Sequence, residues 1–463
     1  MAIIPADLLH AIAQPGGGQV ALVVGAGCSV EAPTSLPLAG PLAHHAHQQL
    51  VLDHILGDGQ CPDPNDLAAL ASLVWAVTNG QSELVKRFPL AAMRQARPNL
   101  GYKLMAALMA ENAICHVLSL NFDLAAENAA AHLGQTIPSI DAPGDPVPVM
   151  PAIVHLHGTA NSDPERLTLR TETMDEGWKD QWEQVVAGQV LSAPFILFAG
   201  LGSPAPVLTA TLDMIQTALG ADKATYQADP GDVEDNALAQ QLNIPGGRYI
   251  KGGWGEVLDA LGARVAAEHV IALGANGIAN LVANGFSQAE RDRFTSLVAK
   301  LANLSLLALG KLRAFAKLDL DTIYRKHSPE DDARAAEPMV RLAEVAETLG
   351  MDLRPTAGGT WQLLSEGRPR AQILLASGAG VLRLTAAEPL ARELCEQIAA
   401  ESANGPDVVL IGALMPGPTP PEHLDLVADG DRDSLIDGPR ETPIVSANDP
   451  DFIQRIGEFL DAA

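Results

Sequence analysis

A doubly wound, Rossmann-like parallel α/β sheet is predicted for the first half of this chain, with a C-terminal helical plus α/β domain behind it. Two observations carry the prediction. Four apolar runs end in polar or Gly-rich residues: Val20-Ala-Leu-Val-Val-Gly-Ala-Gly-Cys-Ser29, Val117-Leu-Ser-Leu-Asn-Phe-Asp123, Ile153-Val-His-Leu-His-Gly158 and Phe195-Ile-Leu-Phe-Ala-Gly-Leu-Gly-Ser203. Helical stretches alternate with them, the pattern of strand–helix–strand units. In such a sheet ligands sit beyond the carboxyl ends of the strands, so these four ends together suit a nucleotide site.

The elements follow in order. Asp7 to Gln14 reads as a short helix, and Gly16 to Gly18 turns the chain into strand Val20 to Val24. No Gly-Lys-Ser/Thr follows those glycines, so they are a turn and not a phosphate loop. Helical patterns span Leu38 to Leu56, Leu67 to Val77 and Leu100 to Ala110; strand Val117 to Leu120 and the Ala-rich helix Leu124 to Leu133 come next. The Pro-rich stretch Pro138 to Pro151 is a loop before Ile153. Trp178 and Trp182, four apart, share a helix face.

Gly, Ala and Asn become dense between Ala266 and Gly285, which sets the expected division: one domain over 1–266, a linker over 267–285 and a second domain over 286–463. Phe294, Leu297, Val298, Leu301, Leu304, Leu307 and Leu312 recur at helical spacing, as one strong amphipathic helix or a helical hairpin. They are expected to fill a core or to meet another subunit. A helix from Met339 to Leu349, strands Trp361 to Leu364, Ile373 to Ala376 and Val381 to Leu384, helix Glu388 to Glu401, strand Val408 to Ile411 and helix Pro450 to Leu460 complete the second domain.

At 463 residues the chain suits two or three domains, and with 47% hydrophobic residues it can bury a sizeable core. A formal net charge of −26 repels a phosphate backbone, which argues against binding naked nucleic acid. Cys28, Cys61, Cys115 and Cys395 are scattered without zinc-ribbon spacing, as expected of reduced cytosolic thiols. No signal-peptide pattern opens the chain, and its apolar runs are interrupted before about 18 residues. A soluble, cytoplasmic protein is expected.

Gly25-Ala26-Gly27-Cys28-Ser29 follows a buried strand, so its backbone could approach a diphosphate; a plain strand-to-helix turn would read the same. The third glycine of a hydride-transfer fingerprint is missing. Asn121 and Asp123 end a strand, two apart and on one side. They could hold a carboxamide and a ribose hydroxyl, with Asn121 also placing a water, or Asp123 could cap the next helix. His155 and His157 are likewise expected on one strand face, with Gly158 giving close access to the second imidazole, which suits proton transfer near neutral pH. A sheet-buried polar pair and a metal pair are the other readings, and no metal is predicted. His44, His45 and His47 read as a solvated helix face.

In this order, Gly-Ala-Gly-x-Ser, Asn-x-Asp, His-Gly, Gly-x-Gly-Ser and finally Gly252-Gly253-Trp254 resemble the sirtuin family over roughly Met1 to Ala266. The resemblance implies that Gly25, Ala26, Gly27 and Ser29 cradle the diphosphate of NAD. It places Asn121 and Asp123 at the nicotinamide and its ribose, and His157 as the catalytic histidine. Gly200, Gly202 and Ser203 would hold the adenosine ribose, and Gly253 and Trp254 would close around adenine. His155 matches no catalytic position.

Departures sharpen the expectation. Protein deacylases of the family carry Gly-x-Pro-x-Phe-Arg and a four-cysteine zinc ribbon; here Leu-Ala-Gly follows Pro37 and the zinc cysteines are absent. The usual Asn of the adenosine-ribose strand is not evident around Tyr226 and Gln227. These losses resemble bacterial sirtuin-like effectors of antiphage defence, which implies hydrolysis of NAD to nicotinamide and ADP-ribose. The resemblance further implies a triggered enzyme, acting as a homo-oligomer or with a partner ATPase or Argonaute-like protein. An NAD-dependent deacylase and a non-catalytic nucleotide sensor are the alternatives.

Overall fold

The computed structural model describes residues 2–14, 17–141, 145, 151–170, 181–202, 206–219, 224–402, 405–415 and 442–462. Ser203, Trp178 and most of the expected loop 138–151 lie outside the described residues. Internal contacts divide the chain into Met1–Val265 and Ala266–Ala463.

The first unit is built on seven parallel strands: β1 (Val20–Val24), β2 (Ile114–Ser119), β3 (Ser139–Ile140), β4 (Ala152–His155), β5 (Phe195–Ala199), β6 (Ala224–Asp229) and β7 (Tyr249–Lys251). Their spatial order is β3-β4-β2-β1-β5-β6-β7. The central strand β1 pairs with β2 on one side and β5 on the other, Val24 meeting Ser119 and Ala199. All five of its residues are buried, which is why it reads as an unbroken apolar run and not an alternating one. Helices flank the sheet; one face packs Ala21, Val23, Ile196 and Phe198 against Val186, Val190 and Leu191 of helix Gln181–Leu191.

Because the chain leaves β1 for β2 in one direction and later enters β5 in the other, the order switches at β1. A crevice opens outside the strand ends at such a point. Gly25, Asn121 and Gly200 follow the three strands that meet there, and His157 follows β4, the next strand out.

The second unit holds β8 (Asp352–Pro355), β9 (Trp361–Ser365), β10 (Arg368–Ser377), β11 (Val408–Gly412) and β12 (Ile444–Ser446) in the order β12-β11-β10-β9-β8. The hairpins β8–β9 and β9–β10 are antiparallel, whereas β10, β11 and β12 run parallel. Ile373 to Ser377 pair with Val408 to Gly412, and Leu374, Ala376, Val409 and Ile411 pack against Leu394 and Ile398 of helix Leu384–Ser402.

Several expectations are corrected. Residues 267–285 are not a linker: helix Trp254–Ala283 runs unbroken through most of them. By length and composition it could cross a bilayer. It also carries Glu256, Asp259, Arg264 and Glu268, and buries Trp254, Val257, Leu258, Leu261 and Val265 in the first unit. The leucine-rich stretch takes the second of its two expected forms, as two helices, Gln288–Lys300 and Leu306–Ala316, the second capped by Ser305. The helix expected from Met339 begins at Pro329, where Ser328 caps it. Val381 to Leu384 is not a strand; Val381 is exposed in a turn and Leu384 opens a helix.

Candidate functional site

β2 ends at Ser119, so Asn121 and Asp123 lie just past the strand and not on it. Their backbone is tied there: Leu120 N–H donates to Val24 O at 3.0 Å and Asn121 N–H to Ser119 Oγ at 3.2 Å. Both side chains turn under the loop that follows β1. Asn121 Nδ2 donates to Gly25 O at 3.0 Å and lies 3.0 Å from Tyr102 Oη and 3.3 Å from Ser29 Oγ. A carbonyl can only accept, so Gly25 O fixes which end of the amide faces the loop. The other end, Asn121 Oδ1, is buried and has no partner among the described residues.

Both carboxylate oxygens of Asp123 are engaged within the protein. Oδ1 accepts from Ala125 N–H at 3.0 Å, capping helix Ala125–His132, and Oδ2 accepts from Ser29 Oγ at 2.8 Å. Burial raises its carboxyl above the usual range, with the Ser29 hydroxyl and the Ala125 amide pulling back. Ser29 also lies 2.8 Å from Tyr102 Oη. Burial, with Asp123 nearby, pushes the Tyr102 phenol well up, so it stays a hydroxyl. Ser29, Tyr102, Asn121 and Asp123 form one buried polar network, which holds each member in a single orientation.

The glycines of the loop after β1 serve close packing. Gly25 and Gly27 N–H donate to Ala199 O and Gly200 O, each at 3.0 Å, and Cys28 N–H donates to Gly25 O. These three amides are therefore engaged within the protein. A Cβ on Gly27 would sit 2.7 Å from Gly200 Cα, and Gly200 itself has φ +66° with Cys28 N in the way of any side chain. Gly202 has open space around its Cα.

Next to it, the Leu201 carbonyl accepts from Gln227 Nε2 at 2.9 Å and Asn236 Nδ2 at 3.4 Å. Gln227 Oε1 is buried without a partner among the described residues. Gln227 stands on β6, the strand where an Asn was sought.

β4 stops at His155, so His157 lies in the bend beyond it, and the pair does not share a strand face. His157 is half-buried, its carbonyl accepting from Thr168 N–H at 3.1 Å, and Gly158 follows at φ +80°. His155 is buried, with Nε2 2.6 Å from Glu127 Oε1 and Nδ1 3.2 Å from Asn121 O. Burial opposes charge on this ring, but Glu127 outweighs it and raises the imidazole above its ordinary value. Glu127, which burial alone would push up, is held below its own by His155.

Trp254 is buried, edge-on to Tyr102 with ring centroids 5.8 Å apart, and a Cβ on Gly101 would strike its ring. Trp254 Nε1 has no partner among the described residues. Gly253 lies against Glu31, whose carboxylate accepts from Gly255 N–H at 3.1 Å at the start of helix Trp254–Ala283. A negative charge suits that helix end.

Tyr102, Glu127, Gln227 and Asn236 were not anticipated as site residues. Tyr102 and Glu127 stand on helices with no local motif; Asn236 had a signal, as the cap of helix Ala237–Gln241. Among the described residues no group of three His, Cys, Asp or Glu could hold a metal ion.

No protein-family model matches the chain, and no curated relative does. Solved structures similar to it include a Sir2 homologue mutant with 2'-O-acetyl ADP ribose, at 17% identity and TM-score 0.34 over 57% of this chain and 96% of that one. A Sir2 homologue–NAD complex is 18% identical at TM-score 0.34 over 56% and 93%. At scores this low, the fold rests on its own strand order and the site on its own geometry.

Proposed function

We propose that the first unit binds NAD and hydrolyses it to nicotinamide and ADP-ribose. The observation that carries this reading is the orphaned Asn121 Oδ1, a buried acceptor fixed at the switch point of the sheet by Gly25, Ser29 and Tyr102. A buried polar atom without a partner costs about 1–3 kcal/mol, a cost that a ligand donor would remove. The carboxamide N–H of nicotinamide is such a donor. Gln227 Oε1 is another orphaned acceptor, suited to a hydroxyl of the adenosine end.

In the reaction the bond between the ribose C1′ and the nicotinamide nitrogen breaks, and its electron pair neutralises the pyridinium. Positive charge develops on the ribose, and water oxygen bonds to C1′. Asn121 orients the leaving amide and that water; Asp123, within the same network, favours the cationic ribose; His157 takes the proton that the water loses. Ser29 and Tyr102 act by holding Asn121 and Asp123 in place. Gly200, Gly202 and Ser203 are assigned to the adenosine ribose, and Gly25, Ala26 and Gly27 bring the loop close to the diphosphate. Gly253 and Trp254 would bound the adenine side.

Such an activity drains its own cell, so we assign the chain to a triggered, cytoplasmic effector of antiphage defence, working as an oligomer or with a partner protein. The test is incubation of the full chain with NAD, with and without an acylated peptide, measuring nicotinamide, ADP-ribose and acyl-ADP-ribose, alongside Asn121→Ala and His157→Ala. ADP-ribose in step with nicotinamide, lost in both variants, is the expected result. Release only with peptide would make the chain a deacylase, and variants as fast as wild type would remove Asn121 and His157 from the chemistry.

A further inference from the structure

The second unit contains a cleft lying wholly within its own residues. Its apolar wall is Val270 and Leu273 of one helix and Leu309, Leu312 and Ala316 of another. Its mouth meets the carboxyl end of β10 at Ser377 and Ala379, and the first turn of helix Pro329–Thr348. This is the edge of the parallel part of the sheet, where such folds place ligands.

The charged groups around the cleft are Arg313, Lys317 and Arg334, set against Asp331 and Asp332. Both carboxylates are already engaged: Asp331 pairs with Lys317 at 2.6 Å and Arg325 at 2.7 Å, and Asp332 accepts from Asn276 at 2.9 Å and lies 2.7 Å from His327 Nε2. Arg313 is held in place by His269 Nδ1 at 2.9 Å and the Arg325 carbonyl at 3.0 Å. His269 stacks on His327 with ring centroids 4.6 Å apart. Burial, with Arg313 and His327 adding to it, lowers the His269 ring to about 2, so the neutral ring accepts a hydrogen bond from the guanidinium N–H at Nδ1.

Arg334 is exposed and has no ion pair among the described residues. A chain of net charge −26 thus gathers cationic heads at one apolar cleft.

We propose that this cleft binds an organic phosphate, its apolar body against Val270, Leu273, Leu309 and Leu312 and its phosphate at Arg313, Lys317 and Arg334. The probe is AMP, titrated calorimetrically into the full chain, with adenosine and inorganic phosphate as its two halves. The variants are Ala316→Phe, which fills the cleft, Arg334→Ala, which removes an exposed charge, and Asn121→Ala, which alters the first unit alone. AMP is expected to saturate one site and to bind at least about tenfold more tightly than either half. Ala316→Phe and Arg334→Ala should each weaken it about tenfold, roughly 1.4 kcal/mol, and Asn121→Ala should leave it unchanged. No saturable binding, adenosine binding as tightly as AMP, or AMP binding indifferent to both cleft variants would overturn the proposal. Loss only in Asn121→Ala would also overturn it, by placing AMP in the first unit.

Discussion

The buried His155 and the half-buried Glu127 form an ion pair 2.6 Å long, and the imidazole's second nitrogen faces the carbonyl of Asn121 at 3.2 Å. The pair therefore braces the backbone of the residue whose side chain is central to the site. Glu127 and Asp123 are the charged groups acting on the ring.

The sign of its pH dependence follows from the two shifts. His155 is raised above 6.5, so its stabilisation is complete below about pH 6.5 and is lost as pH rises through the folded value. Glu127 is lowered below 4.5, so its contribution is present above that pH and is lost as pH falls through the folded value. Thermal unfolding of the first unit should therefore be most resistant between about pH 4.5 and 6.5. Glu127→Gln should lower stability at pH 6 by about 1–3 kcal/mol and flatten the alkaline limb. An alkaline limb of unchanged steepness would mean that another group governs it.

Gly200 is expected to be intolerant of any side chain. Its φ of +66° costs a non-glycine residue about 1–2 kcal/mol, and an added Cβ would lie 2.4 Å from Cys28 N, a backbone atom that cannot step aside alone. Gly200→Ala should displace the β1 loop, visible as a lowered unfolding midpoint together with loss of NAD binding. Gly202→Ala, with open space around it, should keep the midpoint of the wild type.

What the sequence discloses depends on how locally each feature is encoded. β1 is legible because a central parallel strand, buried on both faces, must be apolar throughout. β6 is not, because Thr225 and Gln227 interrupt its apolar pattern, although both are buried. The helix through 267–283 resembles a linker because it carries Gly274, Asn276, Gly277 and Asn280. Gly277 is there to admit the Phe294 ring, and the two Asn side chains bond Asp332 and the Ala333 carbonyl. Strand ends announce Asn121 and Asp123, whereas Tyr102 and Glu127 reach the site only through tertiary packing, 19 and 28 residues from their partners Asn121 and His155.

A change at the start of helix Gln288–Lys300 should act on that helix. Ser287 and Glu290 form a reciprocal capping box there. Ser287→Ala should cost about 1 kcal/mol, seen as faster amide exchange in that helix, while NAD turnover by the first unit stays at the wild-type rate. Equal loosening of β1 would show that the helix supports the first unit as well.

Tyr102→Phe isolates the contribution of one hydroxyl. The ring keeps its edge contact with Trp254, so the fold should survive, but Ser29 and Asn121 each lose a partner, at 2.8 and 3.0 Å. Asn121 Nδ2 retains Gly25 O at 3.0 Å and the longer approach to Ser29 at 3.3 Å, so it is held less firmly without being released. If Asn121 works by orienting the leaving amide, turnover should fall about 10–100-fold, corresponding to roughly 1.4–2.8 kcal/mol, with a smaller change in KM. Ser29→Ala should act in the same direction, and the double variant should fall short of the product of the two because both act through one network. Strict multiplicativity would show that Ser29 and Tyr102 work independently, and wild-type turnover in Tyr102→Phe would show that Asn121 needs no such support.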